Sequence, residues 1–92
     1  MMKVRASLLA LHFKDILGPD ERILEIEIPP GSKVGLVLEK ITERVGLDVT
    51  SLLKERKMVL MIRNKVVDVD RDNNIELEEG DTLIFITPLI GG

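Results

Sequence analysis

The sequence of 92 residues contains no cysteine, no tryptophan and no tyrosine, and its only aromatic residues are Phe13 and Phe85. Without cysteine the chain can form no disulfide, no thiolate metal site and no cysteine nucleophile. A small domain that folds without disulfides is typical of intracellular proteins. With so few aromatic side chains, the core must be built from Leu, Ile, Val and Met.

The chain also lacks an excess of basic charge and a long apolar run. Its 16 acidic residues outnumber its 13 basic residues, and the net charge is −3. Because nucleic-acid binding usually requires a basic face and aromatic stacking platforms, this composition argues against a nucleic-acid partner. No apolar run approaches the roughly 20 residues of a membrane helix, and Met1–Val4 does not begin a signal-peptide pattern. We therefore expect a cytoplasmic protein with no membrane partner.

Two apolar segments near the N-terminus predict β-strands. The run Val4–Phe13 has little helical periodicity and predicts the first strand. In Ile23–Ile28, apolar residues alternate with Glu25 and Glu27, as in a half-buried strand. Gly18–Asp20 has the residue types of a turn, so the two strands should pair as a hairpin.

The next segment has the periodicity of an amphipathic helix. Its apolar residues recur at intervals of three and four, and one helical face should therefore pack on the sheet through Val34, Val37, Leu38, Ile41 and Val45. Ser32 is the expected N-cap, and Gly46 stands where a left-handed residue commonly ends a helix. A short second helical turn is expected near Thr50–Lys54.

The remaining apolar segments predict three more strands, Met58–Ile62, Val66–Val69 and Thr82–Thr87, with a turn at Arg63–Lys65. One helix packed across a mostly antiparallel sheet buries one helical stripe and one sheet face economically. The expected fold class is therefore α+β. The length fits a single domain, residues 1–92, with a flexible C-terminal tail at 88–92.

The end of the sequence, Pro88-Leu89-Ile90-Gly91-Gly92, is the feature that most clearly suggests chemistry. Two glycines would end a chain by chance about 0.5% of the time, given average glycine usage of about 7%. A frayed terminus would explain mobility but not the choice of glycine. Because glycine has no Cβ, such a tail can enter a narrow channel and present its carboxylate, which is ionised at neutral pH.

The segment Glu79–Gly92 resembles the closing segment of the MoaD and ThiS sulfur carriers, which has an acidic-Gly-Asp turn, an apolar strand, a proline and Gly-Gly. Val4–Phe13 and the turn at Gly18–Asp20 also resemble the first strand and following loop of MoaD. The chain departs from the family at Lys14-Asp15, where an Arg-Glu pair is frequent. It is also longer than usual between Lys65 and Gly80. The resemblance implies a ubiquitin-like β-grasp fold.

The resemblance also implies a function for Gly92. In the family, an E1-like enzyme uses ATP to adenylate the terminal glycine, and sulfur then converts it into a thiocarboxylate. A sulfur-accepting enzyme, such as the large subunit of molybdopterin synthase, takes the sulfur. The chain itself would be a carrier or a non-catalytic small subunit, without a bound cofactor. Archaeal relatives are also conjugated to lysines, so a ubiquitin-like modifier remains the alternative.

The last predicted strand has more apolar residues than one sheet face can bury, because only alternate side chains face the helix. Leu83 and Phe85 are expected inside, as the resemblance favours. Ile84 and Ile86 would then be exposed beside the tail as a docking patch. Together with Pro88, Leu89 and Ile90 of the tail, they form the predicted partner-binding surface around the Gly91-Gly92 end.

Two other features are weaker candidates for chemistry. Six oxygen-bearing side chains are spaced like those of an EF-hand loop, at Asp68, Asp70, Asp72, Asn74, Glu76 and Glu79. They stand between predicted strands, whereas an EF-hand needs flanking helices, so a solvated acidic loop is the preferred interpretation. His12 is the only histidine, and one histidine without cysteine does not make an ordinary zinc site. We therefore expect no metal site.

Overall fold

The computed structural model describes residues 1–89. Its strands are β1 (Met2–Leu8), β2 (Ile23–Ile28), β3 (Val59–Ile62), β4 (Lys65–Val67) and β5 (Thr82–Ile86). Its α-helices are α1 (Leu11–Lys14), α2 (Val34–Val45) and α3 (Val49–Lys54), and Pro19–Glu21 forms a 3-10 turn. The five predicted strands and the two predicted helices are confirmed, with boundaries that shift by a few residues.

The strands form one mixed sheet in the order β2-β1-β5-β3-β4. β1 pairs antiparallel with β2 and parallel with β5. On its other side β5 pairs antiparallel with β3, which pairs antiparallel with β4. β5 is therefore the central strand. The sheet and the helix packed across it form the α+β fold predicted from the sequence.

The core lies between one face of the sheet and α2. From β1 and β5 it receives alternate side chains, all fully or almost fully buried: Val4, Ala6, Leu8, Leu83 and Phe85. From α2 it receives the predicted face at Val34, Val37, Leu38 and Ile41. The fifth predicted member, Val45, is only half-buried, because it lies in the last turn of the helix.

The first predicted strand is too long, because β1 ends at Leu8 and the chain then turns into α1. This turn brings Phe13 into the core, where its ring packs edge to face on Phe85 at a centroid distance of 6.2 Å. The N–H of Leu11 at the start of α1 donates to Thr87 Oγ1 at 2.8 Å. β1 and β2 pair antiparallel as predicted, but α1 and the 3-10 turn lie between them.

The ends of α2 are held in two different ways. Gly46 has a φ of 73° and its N–H donates to the Thr42 carbonyl, which confirms the predicted C-terminal signal. The predicted N-cap is wrong, because the Ser32 hydroxyl donates to the Pro29 carbonyl and the helix begins after Lys33. The Val34 N–H instead donates to the Ile75 carbonyl, so the loop before β5 satisfies a free N–H of the first turn.

A tight two-residue turn joins β3 to β4. Arg63 and Asn64 have φ values of 52° and 64°. Positive φ at both central residues matches the right-handed twist of a two-strand ribbon. The predicted turn is therefore confirmed, and Asn64 has the left-handed geometry expected of it. β4 is shorter than predicted, since Val69 lies beyond its end but is still buried.

Candidate functional site

The sheet face opposite α2, called the open face below, carries an apolar surface at the end where β5 leaves the sheet. The register places Ile84 of β5 between Ser7 of β1 and Met61 of β3. On the outer strands, Ile23 lies opposite Ser7 and Val66 lies opposite Met61. We define the open-face patch as Leu9, Ile23, Val59, Met61, Val66, Ile84 and Ile86.

Ile84 and Ile86 lie on the open face as predicted, while Leu83 and Phe85 are buried on the helix side. However, both isoleucines are half-buried rather than exposed. The reason is that β5 is the central strand, so side chains of β1 and β3 cover its flanks. The predicted docking residues therefore form the centre of the patch and not its most accessible part.

The most exposed members of the patch were not predicted from the sequence. Ile23 is 61% exposed on β2 and Val66 is 63% exposed on β4. Leu9, just after β1, is 54% exposed and its N–H donates to the Phe85 carbonyl at 2.9 Å. In the sequence they are recognisable only as aliphatic residues in or next to strands. Only the strand order places Ile23 and Val66 on the same row of the open face as Ile84, with β1 or β3 between.

The other half of the open face is charged. Arg5 of β1 lies opposite Glu25 of β2, and Lys3 lies opposite Glu27. Opposite charges at directly facing positions stabilise a strand pair modestly. The open face is thus divided into an apolar half near the C-terminal end of β5 and a charged half near its N-terminal end, which gives a docking partner a defined orientation.

The acidic-Gly-Asp segment ties the start of β5 to β1. Gly80 has a φ of 83°, which favours glycine, and its N–H donates to the Lys3 carbonyl at 2.9 Å. The Glu79 carboxylate accepts the Lys3 N–H at 2.8 Å, and the Arg5 N–H donates to the Asp81 carbonyl at 2.8 Å. These bonds set the position of β5 and hence the direction in which the tail leaves.

Arg63 reinforces the same turn. Its Nε donates to one Asp81 carboxylate oxygen at 3.1 Å and its Nη2 donates to the other. Asp81 also accepts the Glu78 N–H at 2.8 Å. The hydrogen bond from Arg63 is the main reason why the pKa of Asp81 is lowered from its ordinary value, and the same bond raises the pKa of Arg63.

The tail leaves the sheet at the apolar end of the open face. Thr87 is held to the start of α1 by the hydrogen bond from Leu11, and Pro88 borders a cleft of about 410 Å³ with Met58 and Val67 among its lining residues. Leu89 is 98% exposed. Among the predicted site residues, Ile90, Gly91 and Gly92 lie outside the described part of the chain.

The loop with EF-hand-like spacing uses its carboxylates for its own backbone. Asp68 Oδ1 accepts the Asp70 N–H at 3.0 Å, and Asp72 Oδ2 accepts the Asp68 N–H at 3.1 Å. The hydrogen bond from Asp68 lowers the pKa of Asp72. Within residues 1–89, no three His, Asp or Glu side chains are grouped so that they could hold a metal ion.

Two further observations concern the described helices. His12 lies in α1, half-buried, and its Nδ1 is buried without a hydrogen-bond partner. Across residues 1–89, none of the helices has both the length and the apolar character that crossing a membrane would require.

Comparison with known proteins agrees with this architecture. The sequence model of the ThiS family matches residues 13–92. An uncharacterized protein of Archaeoglobus fulgidus is 32% identical over 91 residues, which cover 99% of this chain and 100% of the relative. The chain is therefore similar over its whole length to a protein of the same size.

Solved structures with low sequence identity have the same fold. A putative molybdopterin converting factor subunit 1 of Pyrococcus furiosus aligns with a TM-score of 0.69 at 19% identity, covering 97% of this chain and 100% of that one. The small archaeal modifier protein 1 of Methanosarcina acetivorans aligns with a TM-score of 0.67 at 17% identity, covering 100% and 98%. SAMP1 of Haloferax volcanii gives 0.65 at 13% identity, covering 98% and 99%. The resemblance inferred from the closing segment is confirmed: the chain belongs to the ThiS family and has the ubiquitin-like β-grasp fold.

Proposed function

We propose that the chain is a sulfur carrier activated at Gly92, and that it serves as the small subunit of a molybdopterin synthase. The observation that carries this proposal is the position of the tail exit. β5 delivers Pro88 and the exposed Leu89 at the edge of an apolar surface. A partner that docks on the open-face patch thereby meets Leu89, the last described residue of the tail, at a defined place.

The chemistry requires only a free carboxylate on this chain. In an E1-like enzyme, a Gly92 carboxylate oxygen attacks the α-phosphorus of ATP, and pyrophosphate leaves. Hydrosulfide or an equivalent sulfur donor then attacks the carbonyl carbon of the acyl adenylate, AMP leaves, and a thiocarboxylate remains. Because the chain has no cysteine, the terminal glycine is the position on which this chain would carry sulfur.

The open-face patch supplies the binding energy for both partners. Interfaces concentrate their affinity in a buried apolar centre with a polar rim. Ile84 and Ile86 stand at such a centre, and the Lys3–Glu27 and Arg5–Glu25 pairs form one side of the rim. One patch cannot bind the activating enzyme and the sulfur-accepting enzyme at the same time, so the carrier must dissociate between the two steps.

The name of the Pyrococcus furiosus structure supports the molybdopterin branch, since that chain matches over its full length. The second candidate is a protein modifier joined through Gly92 to lysines of target proteins. It is favoured by the two neighbours that are named small archaeal modifier protein 1 or SAMP1. Both functions use the same activation step. They differ in the nucleophile that then attacks the Gly92 adenylate, which is a sulfur donor for a carrier and leads to a lysine for a modifier.

Mass spectrometry of the protein purified from its own host separates these functions. A carrier should contain a fraction in which one oxygen at Gly92 is replaced by sulfur. A modifier should instead yield branched peptides in which Gly92 is joined to lysine side chains. Incubation with the host's E1-like enzyme and ATP should produce the Gly92 adenylate in either case. If no adenylate forms with folded protein, both proposals are wrong.

A further inference from the structure

Among residues 1–89, the strand β2 lies at one edge of the sheet and has no strand on its outer side. It has six residues, whereas the opposite edge strand, β4, has three. An edge strand presents unpaired N–H and C=O groups to any extended segment that approaches it. In this protein the long open edge lies beside α2 and is separated from β5 by β1.

The register identifies which groups of β2 point outward. The Lys3 and Arg5 N–H groups of β1 donate towards the β5 side, to Glu79 and Asp81. In an antiparallel pair, a residue whose backbone N–H and C=O point away from the partner strand lies opposite a residue whose groups also point away. The residues opposite Lys3 and Arg5 are Glu27 and Glu25, whose N–H groups therefore point away from the sheet.

The other end of the strand pair gives the same alternation of inward-pointing and outward-pointing backbone groups along β2. The Leu8 N–H donates to the Arg22 carbonyl at 2.7 Å, so Arg22 bonds inward and Ile23 points outward. At the middle of the edge, the Glu25 carbonyl accepts Arg44 Nη1 at 3.2 Å. This bond confirms directly that Glu25 faces outward, and it occupies one of the groups that an added strand would use.

A cleft runs between this edge and α2. It measures about 350 Å³ and is lined by Glu25, Ile26, Glu27, Lys40, Glu43 and Arg44. Ile26 and Leu24 project towards the helix side, and Ile23, Glu25 and Glu27 project onto the open face. On the helix side, an added strand would meet Leu24 and the edge of Ile26 beside the charged α2 residues Lys40, Glu43 and Arg44. On the open face it would meet the carboxylates of Glu25 and Glu27.

We propose that the β2 edge is a docking site for an extended segment of a partner protein, which adds as a sixth strand with basic residues opposite Glu25 and Glu27 and aliphatic residues between them. The outward N–H groups provide the main-chain bonds, as in other cases of strand addition. Opposite charges at directly facing positions stabilise the pair, whereas like charges destabilise it. The site shares Glu25 and Glu27 with the rim of the open-face patch, but strand addition does not require activation of Gly92 and is tested without it.

A second copy of this chain does not fit the site. Antiparallel pairing of β2 with β2 must place outward-facing residues opposite each other. The two registers that pair the strand most fully put Glu25 opposite Glu25, or Glu25 opposite Glu27. Both juxtapose carboxylates on the same face. The occupant that we propose is therefore a segment of another protein, with basic residues that pair with Glu25 and Glu27.

The probe for the test is the peptide acetyl-Thr-Lys-Val-Lys-Val-Lys-Thr-amide, titrated into the isotope-labelled full chain and followed by NMR. The amide signals of Glu25 and Glu27 should shift in a saturable way, and their hydrogen exchange should slow. The control peptide has Glu in place of each Lys and should not bind. Saturable shifts confined to another surface, no shift, or equal binding of the control peptide would overturn the proposal.

Three variants test the backbone geometry. Glu27→Pro removes an outward N–H that makes no bond to β1, and edge strands tolerate proline at such positions. The variant should bind the peptide about two- to tenfold more weakly, because one backbone hydrogen bond is lost. Glu27→Gln keeps that N–H and loses only the charge, so it separates the two contributions and also serves if the proline variant misfolds. Arg44→Ala frees the Glu25 carbonyl and should strengthen binding. Unchanged affinity in both Glu27→Gln and Arg44→Ala would contradict the proposal.

Discussion

Arg63 and Asp81 form a two-bond ion pair that joins the β3–β4 turn to the turn before β5. The pair orients the strand that delivers the tail. Arg63 also donates to the Glu76 carbonyl at 3.2 Å, so one side chain connects three segments. The Asp81 side chain is only 10% exposed, which limits screening by water.

The first prediction concerns this pair. Asp81→Asn should lower the free energy of unfolding at neutral pH by about 1–3 kcal/mol, since it removes a charged acceptor of several hydrogen bonds. Urea unfolding of both proteins measures the difference. Asp72→Asn is the matched control, because that carboxylate also accepts backbone N–H but bonds to an exposed arginine, and its effect should be smaller.

The pH dependence of this difference has a definite sign. The pKa of Asp81 is lowered in the folded state from its ordinary value of 3.8. A lowered pKa contributes stability that is present above the unfolded value and is lost as the pH falls through the folded value. The wild type should therefore lose its advantage over Asp81→Asn below about pH 4. A difference that stayed constant down to strongly acidic pH would mean that the charge is unimportant.

The second prediction tests the core. Ile41 is fully buried between α2 and the sheet, and Ile41→Ala should cost about 2–5 kcal/mol through lost burial and the resulting cavity. Thermal and urea unfolding would measure the loss. Lys40→Ala, at the neighbouring exposed position of α2, should change stability by no more than about 0.5 kcal/mol.

The third prediction concerns docking of the activating enzyme. Since Ile84 and Ile86 are half-buried, charging them would test folding as well as binding, and Val66 is the better position because it is 63% exposed. Val66→Asp should leave unfolding nearly unchanged and weaken binding of the E1-like enzyme about tenfold, as for a moderately important interface residue. Lys40→Asp on the helix side is the control and should bind normally. Equal binding of both variants would show that the partner does not use the open-face patch.

The local parts of the fold could be predicted because their signals lie within a few consecutive residues. The periodicity of Val34–Val45 and the alternation in Ile23–Ile28 are determined by which side chains face the core. The strand prediction is wrong at Leu11–Phe13, because Val4–Phe13 is an apolar-rich run with little helical periodicity. The helical turn of α1 depends on the packing of Phe13 against Phe85, far away in sequence.

The site could be predicted only in part, for a similar reason. The alternation in β5 placed Ile84 and Ile86 on the face opposite the helix, because that signal is local, whereas their role in docking stays a prediction. The contributions of Ile23 and Val66 depend on a strand order in which β5 is central. Residues that are far apart in the sequence cannot be assigned as neighbours from local patterns. The same strand order explains why Ile84 and Ile86 are less exposed than expected.

The last prediction concerns the length of the tail. Deleting Gly92, or adding one residue after it, moves the reactive carbonyl by up to about 3.5 Å. Because a misplacement of about 1 Å can cost a hundredfold in rate, either change should abolish adenylation by the E1-like enzyme, measured as ATP-dependent pyrophosphate release. The buried core residues lie between Met2 and Phe85, so the melting temperature should not change.

The matched control for this experiment is Gly92→Ala, which keeps the length of the chain and adds only a Cβ. If the position of the carbonyl is decisive, Gly92→Ala should retain more activity than the deletion. If a narrow channel is also decisive, Gly91→Ala should reduce the rate further, since its added Cβ must pass through that channel. Adenylation of the Gly92-deleted protein at a near-normal rate would show that the terminal pair is incidental, and the carrier and modifier functions would both have to be abandoned.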